Sequence, residues 1–233
     1  MSRQPATRRS APVHVSGLRV AYGPKVALQG IELRMEPGDV VAVVGPSGAG
    51  KSSLLWAVAG ALAPASGGVT VAGTTVRERR QATGLGVVLV PQGNALASAL
   101  TARENVLVPL LAAGVAPVEA ESRTAVALAA VGLEEFGRHL VEELSGGQQQ
   151  RAAIARALAA QGSVVLADEP TSDLDGANRE RVIAALREEA AAGAVVLMST
   201  HDPEAAAQAD AELALDEGRM TWRRAPAASR PPR

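Results

Sequence analysis

Val40-Val41-Ala42-Val43-Val44-Gly45-Pro46-Ser47-Gly48-Ala49-Gly50-Lys51-Ser52 is the stretch whose reading decides the fold. Its first five residues form a continuous apolar run of β-branched character, as expected for a strand buried on both faces of a parallel sheet. The next eight match G-x-x-x-x-G-K-[ST] in full, and Leu54, Leu55, Val58 and Leu62 then recur at helical spacing. A buried strand, a glycine loop and a helix are the setting that a phosphate-binding loop requires. Its backbone N–H groups and the positive end of the helix can surround phosphate oxygens, Lys51 can reach the β and γ phosphates, and Ser52 offers a hydroxyl to Mg²⁺. A chance glycine-rich turn would leave the flanking strand and helix without a reason.

Outward from this stretch, Ile31, Leu33 and Met35 alternate with Glu32, Arg34 and Glu36, the period of a strand with one wet face, and Pro37-Gly38 ends it. Alternation over Val69 to Val76 predicts a small antiparallel annex. Residues 104–160 read as mainly helical: Pro117 suits a first helical turn, and Val118, Val126, Leu128 and Val131 supply an apolar stripe. Two further buried strands, Val164 to Ala167 and Val195 to Met198, each run into a polar cluster at their C-terminal ends. The expected fold is α/β, with a mixed, mostly parallel sheet, the antiparallel annex, and a helical insertion over about 93–160.

Composition agrees with a folded core. Hydrophobic residues make up 47% of the 233, but the aromatics are only Tyr22, Trp56, Phe136 and Trp222, so Val, Leu, Ile and Ala must fill the interior. Without cysteine, a disulfide framework and thiolate metal sites are excluded, which fits a reducing cytoplasm. The formal net charge of −1 hides an uneven distribution. Residues 1–12 and 219–233 hold eight arginines and no acid, leaving 15 basic against 24 acidic residues between them. The ends, 1–12 and 223–233, are rich in Pro, Ala, Ser and Arg and are expected to be disordered, with 13–222 as one domain. No segment approaches 18 uninterrupted apolar residues, and no apolar stretch follows Arg8-Arg9, so neither a membrane span nor a secretory signal is expected.

Further candidate chemistry lies at the ends of the later strands. Asp168 follows an apolar strand, where a carboxylate can hold Mg²⁺ through its water shell. Glu169, one residue on, points elsewhere and is a candidate to orient or deprotonate an attacking water. The alternative is that Asp168-Glu169-Pro170 only begins a turn. His201 falls past the strand ending at Met198, at the sheet edge where ligands of open α/β sheets gather, and could hydrogen-bond a γ-phosphate and hold Glu169 and water in place.

Leu144-Ser145-Gly146-Gly147-Gln148 lies 94 residues downstream of Gly50 and precedes a helical run through Arg151, Ile154, Ala155 and Leu158. By itself it reads as a capping box, Ser at the cap and Gln three residues later. Two adjacent glycines do not improve a cap and cost up to about 1 kcal/mol each in a first helical turn. They make sense where something approaches the backbone closely, and a helix N-terminus suits an anion.

With these residues in view, the chain resembles the nucleotide-binding subunit of an ATP-binding cassette (ABC) transporter, from about Val13 to about Trp222. LSGGQ followed by Gln149-Gln150-Arg151 and Ala153-Ile154-Ala155-Arg156-Ala157-Leu158 carries the resemblance most specifically. The resemblance implies that two cassettes pair head to tail, so that Ser145, Gly146, Gly147 and Gln148 act on the ATP held by the partner's Gly45–Ser52 loop, with Ser53 beside it. It also implies that Tyr22 stacks on adenine, that Gln92 touches Mg²⁺ and links the site to the helical insertion, and that Ser172-Asp173-Leu174-Asp175 crosses between the cassettes. Without the resemblance, Tyr22 reads as a strand aromatic, Gln92 as a turn residue and Asp175 as a helix cap. Asn94, Leu96, Leu100-Thr101-Ala102, Glu104-Asn105-Val106, Pro109-Leu110, Asn178 and Arg179 are most similar to the cassettes of lipoprotein release and macrolide efflux, with the cell-division cassette a near relative. Pro91 and Ser98-Ala99 depart from that pattern, on the surface expected to face a permease.

The expected function is therefore an ATPase that uses ATP and Mg²⁺, with Lys51, Gln92, Glu169 and His201 as its catalytic set and Ser52, Gln92 and Asp168 at the metal. Its expected partners are a second cassette and an integral membrane permease in a separate chain, with no nucleic acid, at the cytoplasmic face of the membrane. Two other readings stay open: a cassette that couples ATP to cell-wall or division signalling without transport, and a soluble clamp on nucleic acid or ribosomes. The clamp relatives carry long coiled coils or tandem cassettes, and only 52 residues separate Gln92 from Ser145 here.

Overall fold

The computed structural model describes residues 11–226. The chain begins with β1 (Val13–Tyr22) and β2 (Lys25–Met35), which pair antiparallel; β4 (Ser66–Val71) adds to the other side of β1, and β5 (Thr74–Thr75) to β4. This four-stranded sheet contains the expected annex but is larger, because β1 gives it a centre. The second sheet is built of β3 (Val40–Val44), β6 (Val87–Val90), β7 (Val164–Asp168), β8 (Val195–Ser199), β9 (Ala211–Asp216) and β10 (Arg219–Arg224). Its order is β10-β9-β3-β8-β7-β6, parallel throughout except for the terminal β9–β10 hairpin.

Seven α-helices and a 3₁₀ turn (Val141–Glu143) lie among the described residues: α1 (Lys51–Val58), α2 (Arg79–Gly84), α3 (Ala102–Ala112), α4 (Pro117–Ala130), α5 (Gly146–Ala160), α6 (Gly176–Ala191) and α7 (Pro203–Ala207). The parallel sheet is covered on both faces, and the period of two along its strands divides the interior into two cores. Val40, Ala42, Val165, Ala167, Val196 and Met198 join α3–α7 in one. Val41, Val43, Leu166, Val195 and Leu197 join α1 and the antiparallel sheet in the other. All five residues of β3, β7 and β8 are buried, as an unbroken apolar run requires.

Several expectations need correction. The helix after the glycine loop ends at Val58, since Gly60 adopts φ 64 just past its C-cap, so Leu62 packs from the following turn instead. On α4 the buried face is Ala120, Thr124, Ala127 and Leu128, continued by Val131, while Val118 and Val126 are 85% and 68% exposed. Small residues carry that stripe, so side-chain hydrophobicity misjudged its phase. β10 runs past 222 to Arg224, where Arg223 pairs with Glu212 and Arg224 donates to the carbonyls of Ala206, Ala209 and Asp210. At the other end Ala11 is already buried. The rest of both arginine-rich ends lies outside the described residues.

Candidate functional site

β3 delivers its C-terminal end to the glycine loop, and α1 starts at Lys51. Gly45 stands at φ 151, and a Cβ there would lie 2.2 Å from the Leu215 carbonyl oxygen, so the backbone of β9 dictates glycine. Above the loop opens a cleft of about 750 Å³. Gly45, Pro46, Ser47, Gly48, Gly50, Lys51, Ser52 and Ser53 form its floor; Ala49 is buried behind them. Tyr22, 46% exposed at the end of β1, forms a wall, its hydroxyl 3.2 Å from Ser53 Oγ. Gln92, past the end of β6, Glu169 and His201 complete the rim. Lys25, Ala27 and Ser172 also line it, of which sequence reading assigned none to the cleft; Lys25, a basic residue opening β2 three positions after Tyr22, was the available signal.

The side chains expected to be catalytic are bonded to one another. Lys51 Nζ donates to the carbonyls of Gly45 and Pro46 at 2.8 and 3.3 Å and lies 3.6 Å from Glu169 Oε1. The other oxygen of Glu169 is 2.8 Å from His201 Nδ1 and accepts from the His201 backbone N–H at 3.3 Å. An ionised carboxylate can only accept, which puts the proton of the ring contact on Nδ1. Glu169 is buried, whereas the His201 side chain is 68% exposed and reaches in from the rim. Glu169 also adopts φ 53, a left-handed conformation rare for a residue with a Cβ. Its N–H holds that turn by donating to Ser199 Oγ at 2.9 Å, and the same hydroxyl donates to Asp168 Oδ1 at 2.5 Å. Ser199, which sequence reading saw only as part of a polar cluster, thus ties the Asp168 carboxylate to the backbone of Glu169.

Asp168 Oδ2 is buried without a hydrogen-bond partner. An acceptor so placed suits a water of a hydrated cation. No group of three or more His, Asp or Glu side chains gathers as a metal site among the described residues. A cation here would therefore rest mainly on phosphate oxygens, water and the Ser52 hydroxyl.

Ser145, Gly146, Gly147 and Gln148 do not line the cleft. Ser145 caps α5: its Oγ accepts from Gln148 N–H, and Gln148 Oε1 accepts from Ser145 N–H at 2.8 Å. The capping box is real, but the two glycines part company. A Cβ on Gly147 would fall 2.8 Å from the Asp173 carbonyl oxygen of the same chain, whereas one on exposed Gly146 would meet nothing within 4 Å. Packing explains Gly147 and leaves Gly146 open to an approaching group. Asp175 caps α6 by accepting from Asn178 N–H at 2.8 Å and Nδ2 at 2.9 Å, and these bonds hold its carboxyl below the usual aspartate range.

A family model described as ABC transporter matches residues 28–172. The lipoprotein-releasing system ATP-binding protein LolD of Ruegeria sp. (strain TM1040) is 40% identical over 221 residues, covering 90% of this chain and 97% of that protein. The pyoverdine export ATP-binding/permease protein PvdT of Pseudomonas entomophila (strain L48) is 40% identical over 229 residues, covering 91% of this chain but 34% of that protein. The chain thus spans about a third of the PvdT relative and nearly all of the LolD one. Among solved structures, the dimeric post-hydrolysis state of the ATP-binding cassette MJ0796 bound to ADP and Pi superposes with a TM-score of 0.83 at 31% identity, covering 91% of this chain and 99% of that one.

Proposed function

Because this chain belongs to the ABC transporter family, whose cassette fold and ATPase character it shares, we propose that it pairs head to tail with a second cassette and drives a membrane permease carried by a separate chain. One observation carries the reading. The cleft gathers Lys51, Glu169 and His201 into one bonded cluster, while the open, anion-suited first turn of α5 lies outside that cleft in the same chain. Each molecule then holds two half-sites that only pairing completes.

In such a pair, the loop amides and Lys51 hold the polyphosphate, and Tyr22 offers a face to the base. Glu169 orients the attacking water and takes its proton; His201 fixes the carboxylate from the rim through Nδ1. Mg²⁺, where bound, would draw on Ser52, Gln92 and a water on Asp168 Oδ2, and would neutralise charge building on the transferring phosphoryl group. Fixed donors stabilise that charge without reorganising at the moment of reaction.

The named relatives are the ATP-binding protein of a lipoprotein-releasing system and a pyoverdine export ATP-binding/permease protein. Those names support an exporter or extractor. Among the described residues no helix is long and apolar enough to cross a membrane, which suits a peripheral place at the cytoplasmic face beside a permease. The test is Glu169→Gln, which keeps the size of the side chain and removes its basicity. Turnover is expected to fall by about 10²-fold or more, with an ATP-dependent dimer on sizing. A variant that stays monomeric with ATP, or still hydrolyses it at the wild-type rate, overturns the proposal. Purification with a multi-span membrane partner checks the permease.

A further inference from the structure

Gly93, Asn94 and Ala95 stand in succession in the left-handed region, at φ 83, 65 and 48. Glycine takes that conformation freely and asparagine tolerates it, but an alanine there is strained. The turn follows Gln92 directly. Glu169 is an exception of the same kind at the end of β7, the strand beside β6.

All three non-glycine carbonyls are gripped from one helix. Arg156 of α5 donates from Nη1 to the Ala95 carbonyl at 2.6 Å and from Nη2 to the Asn94 carbonyl at 2.7 Å. Gln150, six residues earlier and buried, donates from Nε2 to the Glu169 carbonyl at 2.6 Å and to Ser172 Oγ at 3.2 Å, and its Oε1 accepts from Asp173 N–H at 3.1 Å. Arg156 is half-buried, and no carboxylate among the described residues pairs with it. Its burial, with Arg79 nearby, pushes its pKa down. A guanidinium spent on two loop carbonyls is a clamp on the loop.

We infer that Gln150 and Arg156 are positioning residues that make α5 one lever on the Gln92 and Glu169 loops, so that contact at the helix's first turn is felt at this chain's own hydrolytic groups. The inference rests on the head-to-tail pairing proposed above. Under it, Ser145 and Gly146 face the nucleotide of the partner, whereas Gln92 and Glu169 serve this chain's own. Helical rise puts Arg156 about 15 Å from Gly146 along a continuous rigid element. The lever thus links two composite sites, and the coupling should appear as cooperativity in ATP.

The test compares the full chain with Arg156→Ala, Arg156→Lys, Gln150→Met and the double variant Arg156→Ala/Ala95→Gly. It reads ATP dependence of turnover, melting temperature and hydrogen exchange. Arg156→Ala is expected to lower kcat roughly tenfold with KM changed less than about twofold, and to speed exchange at residues 94–96. Adding Ala95→Gly should recover part of kcat, since glycine holds the left-handed turn without the clamp. Gln150→Met is expected to move the Hill coefficient for ATP toward one. Wild-type kcat and cooperativity in folded Arg156→Ala and Gln150→Met would overturn the inference. Should Arg156→Ala fold poorly, Arg156→Lys decides: reduced kcat at unchanged melting temperature supports the clamp, and unchanged kcat sinks it. A wild-type chain that neither turns over nor pairs with ATP would sink the pairing itself, a result distinct from indifferent variants on an active, pairing chain.

Discussion

Gly146 and Gly147 are adjacent, yet packing constrains only one of them. Gly147 is fixed by the Asp173 carbonyl against it, and an alanine there must displace the loop after β7. Gly146, in open space at the start of α5, gains nothing for the fold by being glycine. Gly146→Ala is therefore expected to leave stability unchanged or raise it by up to about 1 kcal/mol, and yet, under the proposed pairing, to reduce ATP turnover at least about tenfold, since a Cβ would then stand in the path of the partner's phosphate. Thermal melting beside a steady-state assay checks both halves. A melting temperature that falls together with activity would return Gly146 to a structural role. Sequence alone made both glycines equal, because the Asp173 contact crosses from α5 to a distant loop.

At the scale of elements, caps and loops set where each helix begins. Thr101 and Glu104 form a complete capping box on α3, and Asn105, buried, holds the preceding loop through Ala97, Leu100 and Thr101. Hydrogen bonds from Thr101, its backbone N–H foremost, hold the Glu104 carboxyl below the usual glutamate range. A carboxyl depressed in the folded state adds stability above its unfolded pKa and loses it as pH falls through the folded value. The stability gap between wild type and Glu104→Gln is therefore expected to be full at neutral pH and to close below the ordinary glutamate range; denaturant midpoints from pH 7 down to pH 3 measure it. A gap constant over that window would show that the Glu104 carboxyl lies no lower in the folded chain than in the unfolded one. Thr101 and Glu104 entered the sequence reading through the family resemblance and not as a cap, and the phase of α4 was not legible, because alanines rather than valines carry its buried face.

For the whole molecule, the parallel sheet is the shared wall of two cores. Leu197 and Met198 are adjacent and fully buried, yet they face opposite sides. Leu197→Ala and Met198→Ala are each expected to cost about 2–5 kcal/mol. Both should lower a single unfolding transition, since neither layer keeps its packing without the sheet. Calorimetry that resolves two transitions, each moved by only one of the variants, would divide 13–222 into separate folding units.

Local chemistry and periodicity determined much of this protein. The run from Val40 to Ser52 decided the strand, loop and helix, and the apolar stretches ending at Asp168 and Ser199 gave the neighbouring strands, because burial on both faces leaves a continuous apolar signature. β6, at the sheet's edge with Val88 and Leu89 half-buried, and the β9–β10 hairpin left weaker signatures. The hold of His201 on Glu169 was already open to sequence reading, but tertiary structure alone decided that it runs through Nδ1 to the carboxylate, that Ser199 joins Asp168 to Glu169, and that Gln150 and Arg156 hold the strained loops after β7 and β6. Those contacts span 19 to 62 positions of sequence. No local pattern encodes them, since a hydrogen bond between distant residues exists only once the sheet has set its strand ends side by side.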